Sequence, residues 1–109
     1  MIVRGVLTDP AALIFEPLRD GVDVAWLHRD PDGGPAAAVV RYRPGARVPR
    51  HRHPGWERVI VISGSQADPQ GLLKAGDFAL NAPGAEHDVV SEEGCVALLI
   101  WERQPIMLE

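Results

Sequence analysis

Gly45-Ala-Arg-Val-Pro-Arg-His51-Arg-His53-Pro-Gly-Trp-Glu57-Arg-Val-Ile-Val-Ile-Ser-Gly64 is the stretch on which the reading of this chain turns. His51 and His53 are two apart, and on an extended backbone that spacing puts both side chains on one face. Glu57 shares their parity, although Pro54-Gly55 interrupts the strand, so the alternation need not run straight through. Val59 to Ile62 is the clearest strand former in the sequence. If Glu57 faces inward, Val59, Val61 and Ser63 do too, leaving Arg58, Ile60 and Ile62 on the other face. Two apolar residues on that outer face call for cover, from a second sheet or a second copy of the chain. The far end supplies a counterpart in Gly76-Asp-Phe-Ala-Leu-Asn-Ala-Pro-Gly84-Ala-Glu-His87, so three of the four histidines fall in these two stretches.

Outward from here the chain reads as short strands between turn clusters. Met1 to Leu7 is a first strand ended by Thr8-Asp9-Pro10. Ala11 to Leu18 contains Pro17 and reads as irregular or as an edge strand. Val22 to His28 and Ala36 to Tyr42 flank Arg-Asp-Pro-Asp-Gly-Gly-Pro (29–35) and form a hairpin. Asp68-Pro-Gln-Gly71 is a second hairpin turn, leading to Leu72-Leu73-Lys74. Phe78 to Asn81, Glu86 to Ser91 and an apolar run from Cys95 to Arg103 complete roughly nine strands, with no helical periodicity and no repeat. The fold class is all-β, a sandwich or barrel.

The 109 residues make one ordinary domain, 1–109, with material for a single core. A net charge of -4 argues against nonspecific nucleic-acid binding and against an anionic membrane surface. One cysteine permits no internal disulfide, no apolar run approaches the ~20 residues of a membrane span, and Asp9-Pro10 comes too early for a signal sequence. The expected location is the reducing cytoplasm.

Three imidazoles and one carboxylate (His51, His53, Glu57 and His87) form a mixed nitrogen–oxygen donor set. Such a set suits zinc, iron(II), manganese, nickel or copper better than calcium or magnesium. Four ligands on a six-coordinate ion leave two positions for water or a chelating small molecule. The residual positive charge favours an anionic oxygen ligand, an enolate or carboxylate. Taken alone, a His-x-His pair is more often a solvated turn. Here it precedes a glutamate of the same parity and an apolar strand, and burying that set in a β core without a metal is costly. His28, beside a charged turn, reads as a surface residue. Cys95 reads as a small buried hydrophobe and not as a nucleophile. Trp26 and Trp101 read as core or interface, and Trp56 as a pocket wall or a lid. Of Arg41 and Tyr42, one faces in and one out.

Residues 45–64 resemble the first motif of the cupins, glycine and glutamate spaced around a His-x-His pair, at every defined position. The second motif, over 76–91, matches at Gly76, Gly84 and His87; the proline is shifted by one to Pro83, and Ser91 stands where the motif has asparagine. A finer resemblance is to the ChrR-like cupins, through Val40-Arg-Tyr-Arg-Pro-Gly-Ala46, Ser63-Gly-Ser-Gln-Ala-Asp68, Asn81-Ala-Pro-Gly84 and Ser91-Glu-Glu-Gly-Cys95. It implies an RmlC-like jelly-roll barrel, a homodimer, and His51, His53, Glu57 and His87 as metal ligands. ChrR-type anti-sigma factors carry an amino-terminal helical zinc domain; these residues contain no such segment, so direct sigma-factor inhibition by this chain alone is not expected.

Two functions follow as expectations. One is a metal-dependent dioxygenase or isomerase acting on a small oxygen-chelating substrate. Acetylacetone-cleaving dioxygenases near this group lean on three histidines, so Glu57 as a ligand departs from them. No general acid or base beyond the ligands stands out. The other is a noncatalytic module that senses a metal or small ligand.

Overall fold

The computed structural model describes residues 1–108. The chain forms ten strands: β1 (Glu16–Arg19), β2 (Val22–Arg29), β3 (Ala36–Tyr42), β4 (Ala46–Arg52), β5 (Glu57–Asp68), β6 (Gly71–Lys74), β7 (Phe78–Asn81), β8 (Glu86–Ser91), β9 (Cys95–Trp101) and β10 (Ile106–Met107). All pairings are antiparallel, and the expected all-β jelly roll is what the chain adopts. The only helical element among the described residues is a 3-10 turn at Pro10–Ala12. No helix is long and apolar enough to cross a membrane.

β5 joins the two walls of the curled sheet. Its first half pairs with β7 and β9, in the wall that continues through β3 and β2 to β1. Its second half pairs with β6 and β8, in the wall that continues through β4 to β10. The strand changes walls around Gly64, whose φ is +72°, and a Cβ there would lie 2.0 Å from the Gly94 carbonyl oxygen. Only glycine fits both that backbone and that approach. The core between the walls is valine and alanine, with Val22, Val24, Ala38, Val40, Val59, Val61 and Ala97 all buried. Small β-branched side chains let the sheet curl tightly, and each buried valine contributes roughly 1.5–3 kcal/mol.

Several strand expectations need correction. Met1 to Leu7 forms no strand: it pairs with no sheet edge, and β1 is the outermost strand on the β2 side. The Ala11 to Leu18 segment does end in an edge strand, β1. β5 runs five residues beyond Ser63, and Ser63 is exposed instead of inward. A bulge opposite β9, between Val61 and Ser63, adds one residue and flips the alternation. β9 stops at Trp101 because the Glu102 N–H turns to the Trp56 carbonyl, and the short β10 then pairs with β4 beside His51.

Candidate metal centre

The site forms where the two walls meet. His51 on β4 lies directly across the ladder from His87 on β8. His53 sits one residue past β4, where Pro54 ends the strand. Its backbone is held by the Ala82–Ala85 turn: His53 N–H donates to the Ala85 carbonyl (2.9 Å) and Gly84 N–H donates to the His53 carbonyl (2.7 Å). The turn that the second motif encodes therefore fixes a histidine of the first. Ring centroids of His51, His53 and His87 lie 4.6–5.0 Å apart. One ring nitrogen from each lies within 4.8 Å of the other two. All three rings are buried, His53 completely.

The hydrogen bonds around the cluster assign its tautomers. His51 Nδ1 meets the Pro49 carbonyl at 2.8 Å, and a carbonyl can only accept, so Nδ1 carries the proton. His87 Nδ1 meets Asp68 Oδ2 at 2.7 Å, which fixes the same tautomer. Both rings thus keep a lone pair on Nε2. His53 Nε2 lies 2.9 Å from His87 Nε2, and its own Nδ1 has no partner among the described residues. Burial holds His53 far below the ordinary imidazole range, at about 3, with the like charges of His51 and His87 acting in the same sense. Burial lowers His51 too, against the opposing Pro49 hydrogen bond. Neutral imidazoles with Nδ1–H anchored and Nε2 lone pairs brought together fit a divalent transition metal.

Glu57 stands slightly apart. It opens β5, directly across from Asn81 on β7 and Trp101 on β9. Both neighbours donate to it, Trp101 Nε1 to Oε2 at 2.6 Å and Asn81 Nδ2 to Oε1 at 2.8 Å. Oε1 is 3.4 Å from His53 Nε2. Burial pushes the Glu57 carboxyl above the usual carboxylate range, and those two donors oppose the shift. The structure gathers the three histidines, then, and sets Glu57 at their edge.

A cavity of about 210 Å³ opens beside the cluster, lined by His51, Glu57 and His87 and walled largely by apolar side chains, Trp26 and Trp101 among them. Tyr42 faces this cavity and Arg41 faces out, paired with Asp23. Trp101 is core and stacks at a tilt on Trp26. Trp56, 37% exposed, lines no part of the cavity, so it is not the pocket wall read from its position. His28 is exposed. Cys95 is buried and its thiol is pushed up to about 12 by burial and Glu93, as befits a core residue.

Sequence reasoning passed over Asp68, Asn81, Trp101 and Arg19 as site residues. Asp68 read as a turn former, and it is one: its Oδ1 accepts from Gln70 N–H while its Oδ2 holds His87. Ser91, in place of the motif's asparagine, donates to the Ser65 carbonyl at 2.6 Å and ties β8 to β5.

The ChrR cupin-like domain family matches residues 3–104. The anti-sigma-E factor ChrR of Cereibacter sphaeroides is 37% identical over 87 residues, 77% of this chain; the chain spans only 39% of that relative's length. The crystal structure of Rhodobacter sphaeroides SigE in complex with the anti-sigma ChrR is similar at TM-score 0.74 and 28% identity, over 83% of this chain and 50% of that one. An acetylacetone dioxygenase from Acinetobacter johnsonii shares the fold at TM-score 0.74 and 16% identity, over 81% of this chain and 67% of that one. A family match over nearly the whole length, together with a three-histidine cluster inside a jelly roll, makes this chain a member of the ChrR cupin-like domain family.

Proposed function

We propose that this chain is a metal-dependent cupin whose histidine cluster holds one divalent transition ion and presents it to a small oxygen-chelating ligand in the adjoining cavity. The observation that carries this reading is the gathering of three buried imidazoles with ring nitrogens within 4.8 Å of one another, two of them with Nδ1–H spent on Pro49 and Asp68 so that Nε2 is free to bind an ion. His51, His53 and His87 are the ligands in this reading, and Glu57 is a fourth at the cavity edge. The ion supplies Lewis acidity, or oxygen chemistry if it is iron(II). The protein's part is to hold the ligand's oxygens beside the cluster, to exclude water with Trp26, Tyr42 and Trp101, and to keep Glu57 in place through Trp101 and Asn81.

The enzymatic form of the proposal is oxygen-dependent cleavage of a diketone or phenolic ketone. The same-fold acetylacetone dioxygenase supports it by analogy of architecture alone. Elemental analysis of untagged protein beside a His51→Ala, His53→Ala variant tests the site. Oxygen uptake by the iron(II)-loaded protein with a diketone tests the activity, and no uptake with any such substrate sinks the oxygenase reading.

A second reading, a ligand- or metal-sensing module in the cytoplasm, is favoured by the 37% identity to an anti-sigma factor. Its test is capture of a sigma factor or other regulator by the metal-loaded chain, lost on metal removal. Either role accommodates a homodimer. The outer face of the β5–β7–β9 wall carries Phe78, Leu80 and Ile100, each at least 37% exposed, and Ile60 lies between β7 and β9 on that wall. A dimer through this face predicts that Phe78→Asp halves the mass measured by sedimentation, while a monomeric wild type rejects it.

A further inference from the structure

The cavity contains a charge that the metal reading leaves unused. Arg19, at the end of β1, lines it together with Tyr42, Val48 and Met107; the other arginine of the lining, Arg29, lies over the Trp26 ring and donates to Gln104. Arg41, Arg47 and Arg50 each pair with a carboxylate on a neighbouring strand. Arg19 pairs with none among the described residues. Its Nη2 reaches only the thioether of Met107, a weak acceptor at 3.6 Å, and its Nε is buried with no acceptor at all. Nε and Nη2 form the side-on edge of a guanidinium, the edge that takes a carboxylate through two parallel hydrogen bonds. A buried donor left without an acceptor is costly, so this edge is built for something that displaces the flexible methionine.

The rest of the cavity states what that something is. The one acid lining it is Glu57, and both of its oxygens are already taken by Trp101 and Asn81. The walls are otherwise mostly apolar, with Trp26, Val40, Val59 and Leu99 facing in. The volume of about 210 Å³ falls below the roughly 300–1,000 Å³ of pockets for drug-sized ligands, so the occupant is small. Met107, which Arg19 touches, lies directly across from His51 in the β10–β4 ladder, which places the guanidinium toward the histidine cluster.

We infer that the cavity binds a small organic monocarboxylate with an apolar body, its carboxylate seated on the Nε–Nη2 edge of Arg19 and its body packed against Trp26 and Leu99 beside the histidines. This rests on the reading of that cavity as the chain's ligand site. Arg19 is a specificity residue here: it chooses anions over neutral molecules of the same shape.

The test uses the full chain loaded with zinc, with benzoate as the probe and benzamide as its neutral counterpart, titrated by calorimetry. Benzoate binds saturably and at least roughly tenfold more tightly than benzamide, as a desolvated guanidinium–carboxylate pair requires. Arg19→Met, which keeps length and loses charge, removes that preference without changing the zinc content. Arg19→Lys, which keeps charge and loses the fork, retains only part of it and covers the case in which Arg19→Met does not fold. Equal binding of the two probes, no binding of either, or a benzoate preference that survives Arg19→Met overturns the inference; the last of these assigns the carboxylate to the metal instead. Zinc content measured on the same samples separates the two proposals. Zinc bound with no anion preference overturns this one alone, whereas an anion preference in protein that takes up no zinc overturns only the metal reading.

Discussion

The two halves of the site are built on opposite principles. On the β4–β8 side, the Pro49 carbonyl and Asp68 consume the outer nitrogens of His51 and His87, so the Nε2 of each is left as an acceptor, and His87 Nε2 meets only His53 Nε2, at 2.9 Å. On the β5 side, Glu57 has both oxygens satisfied by its cross-strand neighbours Trp101 and Asn81. The histidine half leaves a buried nitrogen, His53 Nδ1, without a partner among the described residues; both oxygens of the glutamate half are satisfied. The proposed metal site therefore divides into residues that would need the ion and one that would merely tolerate it, and the division can be broken experimentally from either side.

The largest effect is expected from the histidine half. His51→Ala with His53→Ala removes two of the three convergent nitrogens, so metal content measured by elemental analysis falls from about one equivalent to none. Glu57→Ala should leave most of the metal in place. Equal loss in both variants would erase the distinction between the halves.

The glutamate half is tested through its donors. Trp101→Phe keeps the ring packing against Trp26 and deletes the indole N–H that Glu57 Oε2 accepts at 2.6 Å. A hydrogen bond to a buried charged group contributes about 1.5–3 kcal/mol, so chemical denaturation at pH 7 should report a loss of that size. Because burial already raises Glu57, and a raised carboxyl costs stability as pH climbs through its folded value, the loss should shrink toward acid pH as Glu57 takes up a proton. A loss that does not change with pH would mean that Trp101 acts through packing alone.

The metal-free protein should carry a pH signature from the histidine half with the opposite sign. His53 is held at about 3 against 6.5 in an unfolded chain. Its contribution is complete above the unfolded value and declines as pH falls toward the folded one, since the unfolded chain gains a proton that the folded chain refuses. At pH 5 this one residue costs about 2 kcal/mol relative to pH 8, and buried His51 adds to it in the same direction. Thermal unfolding of the metal-free protein across that range measures the effect; a flat profile would show that His53 takes up a proton while folded.

How much of this was legible beforehand follows the range of the interactions. His51, His53 and His87 could be read because each lies in a short motif whose spacing survives any fold. The β2–β3 hairpin and the turn at Asp68–Gly71 could be read because turn chemistry is local. Ser63 was misplaced because the bulge between Val61 and Ser63 depends on how β5 meets β9, where the partners are Ala97 and Val96, far along the chain. Met1 to Leu7 was misread because an apolar run says nothing about whether it will pair with a sheet edge. Trp101 and Asn81 became partners of Glu57 only through ladder register, and Arg19 reached the cavity only through the closure of β1 onto β2.

Asp68 sits between these two categories, and it carries the smallest and most discriminating expectation. Its position at the end of β5 is a turn signal, and one oxygen does serve the turn by accepting from Gln70 N–H at 2.8 Å. The other holds His87 Nδ1–H at 2.7 Å with both side chains nearly excluded from water. Removing such a carboxylate from a metal-bound histidine typically weakens the metal by 10–100-fold, through a less basic and less fixed ring. Asp68→Asn removes the charge and keeps a single acceptor oxygen, which serves either His87 Nδ1–H or Gln70 N–H; with that oxygen turned to His87 the expected loss is at the low end, about tenfold in zinc affinity by competition with a chelator. The Nδ1 proton of His87 should remain visible by NMR in the variant, shifted upfield by its weaker hydrogen bond. An unchanged affinity with that proton shifted would confine Asp68 to the turn and leave the Pro49 carbonyl as the one orienting contact that the histidine half needs.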